Sequence, residues 1–236
     1  MENLILLHGA LGAAATLGAL QQALAGTYHV YTLDFAGHGG QAIPEQGYSI
    51  ELFAQNVLSF MEQHQLQQAH IFGYSMGGYV GLYLAQQHPT RIKSVFTLAT
   101  KFAWSEEAAV KEVKLLNPEK IKEKVPRFAA MLADRHTPQL WEQVMHKTAD
   151  MMQQLGRQPL LTTAILAHIP QPVQVAVGDQ DNMVAIEETI QAYRNLPNAR
   201  LIVLPATQHP LETIAITRLK HEIDIFMASV SALLPV

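Results

Sequence analysis

The chain has 236 residues, is 49% hydrophobic and 15% charged, and carries a formal net charge of −4. That balance suits one sizeable globular domain, not a disordered chain, and it offers no concentrated basic surface for nucleic acid. With no cysteine, disulfides, thiolate catalysis and thiolate metal sites are excluded together, and a reducing compartment fits.

The segment after Asn3, LILLHGALGAAATLGALQQALAG, is apolar, and Ala23-Leu24-Ala25 has the form of a signal-peptidase site. It opens on Met-Glu-Asn without Lys or Arg and is broken by His8 and glycines, so a secretion signal is not expected. No other stretch reaches the roughly 18 apolar residues of a membrane span. The expectation is a soluble cytoplasmic protein.

Apolar runs recur at Leu4–Leu7, His29–Leu33, His70–Tyr74, Ser94–Ala99, Val173–Val177 and Leu201–Leu204. They are continuous rather than alternating, as in strands covered on both faces. Helical patterns separate most of them, at Thr16–Ala25, Ile50–His64, Met76–His88 and Val184–Asn195, with a last helix from Leu211 to Leu234. Such alternation predicts a parallel sheet with right-handed crossovers. Between Ala99 and Val173 strand patterns stop. Helix-start signals take over at Ser105, Asn117-Pro118 and Thr137-Pro138, with Gly156 as a stop. This stretch reads as an inserted helical cap of three to five helices.

Ser75 sits in Gly73-Tyr74-Ser75-Met76-Gly77, between an apolar strand and a helix. A serine on a tight strand-to-helix turn holds its hydroxyl clear of the backbone, and only small neighbours fit that turn. The competing reading is a serine that merely caps the helix. As a nucleophile, it requires a base, an orienting acid and an oxyanion site. His209, in the loop LPATQHP after the last strand, is the candidate base. Asp179 and Asp181, after the strand before it, are both candidate acids, in the order Ser, Asp, His that accompanies a nucleophile elbow. Backbone N–H groups of Met76, at the helix start, and Ala10, in the glycine-rich loop LLHGALG, suit an oxyanion hole. His8 in that loop reads as a structural residue.

In combination these motifs resemble the α/β-hydrolase superfamily, in its serine-nucleophile, esterase- and lipase-like branch. The matching pieces are HGALG, DFAGHG, GYSMGG, HPTRIKSVFTL, GDQD and QHP, in the family's order and over nearly the whole chain. The resemblance implies Ser75 as nucleophile, His209 as base and Ala10 with Met76 as oxyanion donors. Its Gly-x-x-Asp form, starting at Gly178, points to Asp181 as the acid and leaves Asp179 as a loop residue. Family members usually carry an antiparallel hairpin before the first strand found here. The expectation is therefore a reduced, all-parallel six-stranded sheet in spatial order 2-1-3-4-5-6, flanked by helices. The core would comprise residues 1–100 and 170–236, the cap residues 101–169, and the exposed second strand would be a possible dimer edge. Gly40 and Gln208 depart from the family's usual serine and glycine without removing a reacting group.

The implied reaction is acyl transfer to Ser75 and then to water, cleaving an ester or thioester with a small to medium apolar acyl group. No metal or organic cofactor is required. Phe102, Trp104, Met131, Trp141, Met151, Met152 and Met183 are candidate pocket residues. Serine-triad lyases, carbon–carbon hydrolases and ligand receptors share the fold, which does not fix the reaction. Lys101 to Arg127 holds seven Lys and Arg, Lys120, Lys122 and Lys124 among them. It suits either acyl-carrier docking or, with Glu107–Lys111 and Glu123–Arg127 at i,i+4 spacing, a solvated helix surface.

Overall fold

A computed structural model of the chain describes residues 1–232. Within them, strand β1 (Asn3–Leu7) shows why the apolar runs are continuous. Leu4 and Leu6 enter the core on one side of the sheet, Ile5 and Leu7 the core on the other. Successive side chains point to opposite faces, so a strand covered twice must be apolar at every position. β3 (Ala69–Tyr74), β4 (Ile92–Leu98) and β5 (Val173–Gly178) are buried in the same way, with Ile71, Val95 and Val175 on one side and Phe72, Phe96 and Ala176 on the other.

With β2 (His29–Thr32) and β6 (Ala199–Leu204) at the edges, the sheet order is β2-β1-β3-β4-β5-β6, all parallel. The expected six-stranded α/β-hydrolase sheet is therefore present. One face packs on α1 (Gly18–Leu24) and α10 (Ile216–Ser231), and the other on α2 (Ile50–Gln63), α3 (Met76–Gln87) and α9 (Ile186–Asn195). The N-terminal and C-terminal helices each begin later than the pattern suggests, because short 3-10 turns at Ala14–Leu17 and Leu211–Thr213 precede them. The predicted end of the last helix, Leu234, lies outside the described residues. Among the described residues, no helix is long and apolar enough to cross a membrane.

Between β4 and β5 the chain forms five helices: α4 (Glu106–Val113), α5 (Pro118–Lys124), α6 (Pro126–His136), α7 (Trp141–Arg157) and α8 (Thr163–Leu166). Two of the sequence signals act as expected. Ser105 Oγ accepts from the Ala108 N–H at 3.1 Å, and Asn117 Oδ1 from the Lys120 N–H at 2.9 Å, each satisfying a donor that the first helical turn leaves open.

Two others do not. Thr137 ends α6 instead of starting a helix, its hydroxyl donating to Ala133 O at 2.8 Å, and α7 begins only at Trp141. Gly156 lies inside α7 instead of stopping it. A Cβ there would come within 2.5 Å of the Ala109 Cβ and 2.8 Å of Ser105 O, so this glycine lets α7 and α4 approach closely. The ion pairs expected on the helix surface also differ. Lys122 pairs with Glu119 at 3.2 Å and Glu142 at 3.0 Å, while Glu107–Lys111 and Glu123–Arg127 do not close among the described residues. Exposed pairs of that kind gain too little to hold two long side chains in one geometry.

Candidate active site

Ser75 follows β3 directly, at φ 51° and ψ −117°. This left-handed conformation is unfavourable for a side chain with a Cβ and is held by its surroundings. The Ser75 N–H donates to Leu98 O at 2.8 Å, and Thr100 Oγ1 donates to Ser75 O at 3.0 Å. A Cβ at Gly73 would collide with Gly77 and Gly78, and one at Gly77 with Leu7 O. The glycines are thus required by the approach of β3, α3 and the β1 end to one another. The capping alternative fails, since the Ser75 side chain makes no cap hydrogen bond to α3.

His209 and Asp181 meet as the motif order implies. His209 Nδ1 lies 2.8 Å from Asp181 Oδ2, and the Asp181 carboxylate is fully shielded from solvent. Its other oxygen, Oδ1, accepts the N–H groups of Met183 and Val184 at 2.8 Å each. Burial pushes the Asp181 carboxyl up, but the His209 hydrogen bond and charge and these backbone donors outweigh it, leaving the group below its ordinary value. Asp179 instead accepts the Thr207 N–H at 3.1 Å through Oδ1 and shapes the loop that presents His209. Tyr74 OH donates to His209 O at 3.0 Å, so the residue before the serine also positions His209.

Ser75 and His209 border one cavity, together with Ala10 and Met76. No hydrogen bond joins the Ser75 and His209 side chains among the described residues. The N–H groups of Ala10 and Met76 donate to no protein acceptor among the described residues.

His8 stands behind this loop. The Phe35 N–H donates to its Nε2 at 3.2 Å, so Nδ1 carries the proton and donates to Gly9 O at 2.8 Å. Burial lowers its pKa to about 4, consistent with a neutral structural residue. From α6, Arg135 Nη1 and His136 Nε2 both donate to Leu11 O, at 2.7 and 3.2 Å.

Of the pocket residues expected from sequence, Trp104, Met151, Met152 and Met183 border the cavity. Phe102, Met131 and Trp141 do not. Phe102 packs into the core between insertion and sheet, Met131 is 43% exposed on α6, and Trp141 is buried at the start of α7 beneath Lys122. Ile50, Tyr79, Lys101, Glu112, Leu155 and Val184 border the cavity unforeseen. Most lie on helix faces whose direction no short motif reveals. Lys101 belongs to the basic run, yet it turns inward. Among the described residues, no cluster of three or more His, Asp or Glu side chains is arranged to hold a metal ion.

Comparison with known proteins gives the same fold. NosK from Streptomyces actuosus superposes with a TM-score of 0.83 at 19% identity, over 98% of this chain and 99% of that one. A thermophilic esterase from Thermogutta terrifontis does so at 0.77 and 21%, over 98% and 90%. At such identities the likeness concerns the fold alone. Pimeloyl-[acyl-carrier protein] methyl ester esterase of Aeromonas hydrophila is 34% identical over 99 residues, which is 42% of this chain and 37% of that protein. Ethanol acetyltransferase 1 of Wickerhamomyces ciferrii is 33% identical over 95 residues, 39% of this chain and 24% of that protein. The matched stretch thus spans well under half the length of these curated relatives. A family model described as alpha/beta hydrolase fold matches residues 2–142. The chain belongs to the alpha/beta hydrolase fold family.

Proposed function

We propose that the protein is a serine hydrolase that cleaves a carboxylic ester or thioester through an acyl-enzyme on Ser75. The observation that carries this reading is the 2.8 Å contact of a shielded Asp181 with His209 at the cavity that Ser75 borders. In the proposed reaction the Ser75 Oγ attacks the acyl carbonyl while His209 Nε2 takes its proton. The developing oxyanion is held by the N–H groups of Ala10 and Met76. The imidazolium, stabilised by Asp181, returns the proton to the leaving alcohol or thiol, and a water activated by His209 releases the acid. Trp104, Met151, Met152 and Leu155 give the cavity an apolar wall, which suits a small to medium acyl chain.

The A. hydrophila relative is named as an esterase and the W. ciferrii relative as an acetyltransferase. Both names fit acyl chemistry, and they differ in whether water or an alcohol accepts the acyl group. The reading is tested by hydrolysis of p-nitrophenyl esters from acetate to decanoate, with the Ser75→Ala variant alongside. Serine-dependent turnover supports it, and the best chain length measures the pocket. A folded protein with no turnover above Ser75→Ala would point instead to a lyase or a ligand receptor.

A further inference from the structure

We propose that Lys101 and Glu112 form a polar subsite in the active-site cavity that selects acyl chains bearing a neutral hydroxyl group. The inference rests on the reading of this cavity as an ester-hydrolysing site and names the class of acyl group it takes.

Apart from Ser75, His209, Tyr79 and the Trp104 Nε1–H, unpartnered among the described residues, the polar groups on the wall of the cavity are Lys101 and Glu112. Lys101, just past β4, and Glu112, on α4, both border it. Glu112 is only 6% exposed, and its carboxylate accepts no hydrogen bond among the described residues. Lys101 Nζ stands 3.5 Å from Glu112 Oε1, a distance for attraction but too long for a good charge-assisted hydrogen bond. Lys101 also reaches Met183 O at 3.5 Å and Glu188 Oε1 at 3.7 Å. Glu188 is occupied otherwise, since its two oxygens accept the N–H groups of Ala103 at 2.9 Å and Ala185 at 3.1 Å. The Glu112 carboxylate is therefore the acceptor left open. A buried carboxylate is costly to leave without donors.

The charges present decide which ligand suits the site. A carboxylate on the substrate would meet two glutamates and one ammonium. An ammonium would be drawn by the two glutamates and repelled by Lys101, a net attraction of one charge set against the larger cost of taking an ion out of water. A hydroxyl can donate to Glu112 and accept from Lys101 at once, and it is cheaper to bring out of water than an ion. A site that hydrogen-bonds a hydroxyl also rejects the analogue without it, whose binding would leave the site's polar groups unpaired.

The test compares kcat/KM for p-nitrophenyl ω-hydroxyhexanoate and p-nitrophenyl hexanoate. The unmodified protein is expected to prefer the hydroxylated ester by about tenfold or more, from one hydrogen bond to a charged group. The esters with a terminal carboxylate or ammonium should be poorer than the hydroxylated one. Glu112→Leu should bring the ratio toward one. A role limited to tying α4 to the core would instead lower stability and change both esters alike. Equal rates for both esters in the unmodified protein, or a preference that survives Glu112→Leu, would overturn the proposal. The unmodified comparison stands even where the variant does not fold. If neither ester is turned over, the hydrolase reading fails, and the subsite is judged separately by calorimetric binding of the methyl esters of the two acids to Ser75→Ala. Tighter binding of the hydroxylated ester supports it, and equal binding overturns it.

Discussion

His209 Nδ1 lies 2.8 Å from Asp181 Oδ2, whereas Asp179, two residues earlier, gives its carboxylate to the Thr207 N–H. The two acids occupy one loop and have separate tasks. Asp181→Asn is expected to lower kcat on the order of 10⁴-fold, because the amide cannot hold the imidazole in the right tautomer. Asp179→Asn should leave kcat within a few fold. Steady-state kinetics of both variants, with circular dichroism to verify folding, checks the assignment, and a reversed order would transfer the acid's role to Asp179.

Stability should depend on pH through the histidines packed behind the Ala10 loop. Burial lowers His8 and His136 from the ordinary 6.5 to about 4, and His38 well below it, with their rings 5.2 to 5.7 Å apart. Above about pH 6.5 these groups are neutral folded and unfolded, and they add no slope. As the pH falls from 6.5 toward 4, the unfolded chain takes up protons that the folded one refuses, and stability falls. Each buried histidine contributes on the order of 1 kcal/mol per pH unit in that window. Below about 4, His8 and His136 protonate in the folded state as well, and their slope fades. Urea unfolding at pH 7, 6 and 5 measures the effect. His136→Asn should make the dependence shallower by about one histidine's share.

Gly156→Ala tests the contact between α4 and α7. Alanine is the better helix former by about 1 kcal/mol, yet its methyl would meet Ala109 and Ser105. Overpacking of this kind costs typically about 1 to 3 kcal/mol, so a net loss of stability is expected. Because Glu112 on α4 and Met151, Met152 and Leu155 on α7 border the cavity, KM should shift as well. Thermal unfolding and ester kinetics report the two effects, and a stabilised variant with unchanged kinetics would contradict the close approach.

Tyr79→Phe removes one hydroxyl oxygen that accepts two backbone N–H groups, those of Leu160 at 3.1 Å and Leu161 at 2.9 Å. Leaving these donors without an acceptor should cost about 1 to 3 kcal/mol. Denaturant unfolding measures the loss. A change near zero would mean that water replaces the tyrosine.

The sheet was legible because its information is local. A strand buried on both faces must be apolar throughout, and a Gly-Tyr-Ser-Met-Gly turn has few geometries open to it. His209 and an acid at 179 or 181 are legible for a related reason, since they follow strands on the edge where the strands end, whereas the choice of Asp181 rests on the family's Gly-x-x-Asp form. The insertion was harder. Thr137-Pro138 carries a start signal but ends a helix, and Gly156 resembles a stop but serves a helix contact that depends on Ala109, far away in sequence. Methionines and aromatics mark apolar faces without saying which neighbour each face meets. Hence Met151 and Met152 reach the cavity, whereas Met131 faces solvent. Lys101 is counted by sequence as the first member of a basic run, which hides that it alone turns toward the cavity.

Leu11 O accepts from two consecutive side chains of α6, Arg135 and His136. The Leu11–Gly12 peptide, in the loop that carries Ala10, is therefore held by a segment more than a hundred positions downstream. Exchanging the five helices for an unrelated roof would change the cavity wall and, in the same step, remove the two donors that hold the loop beside Ser75. The cavity wall and the loop beside Ser75 are thus inherited as one unit, and a graft that aims to change the first must carry an Arg-His pair, or its equivalent, to keep the second.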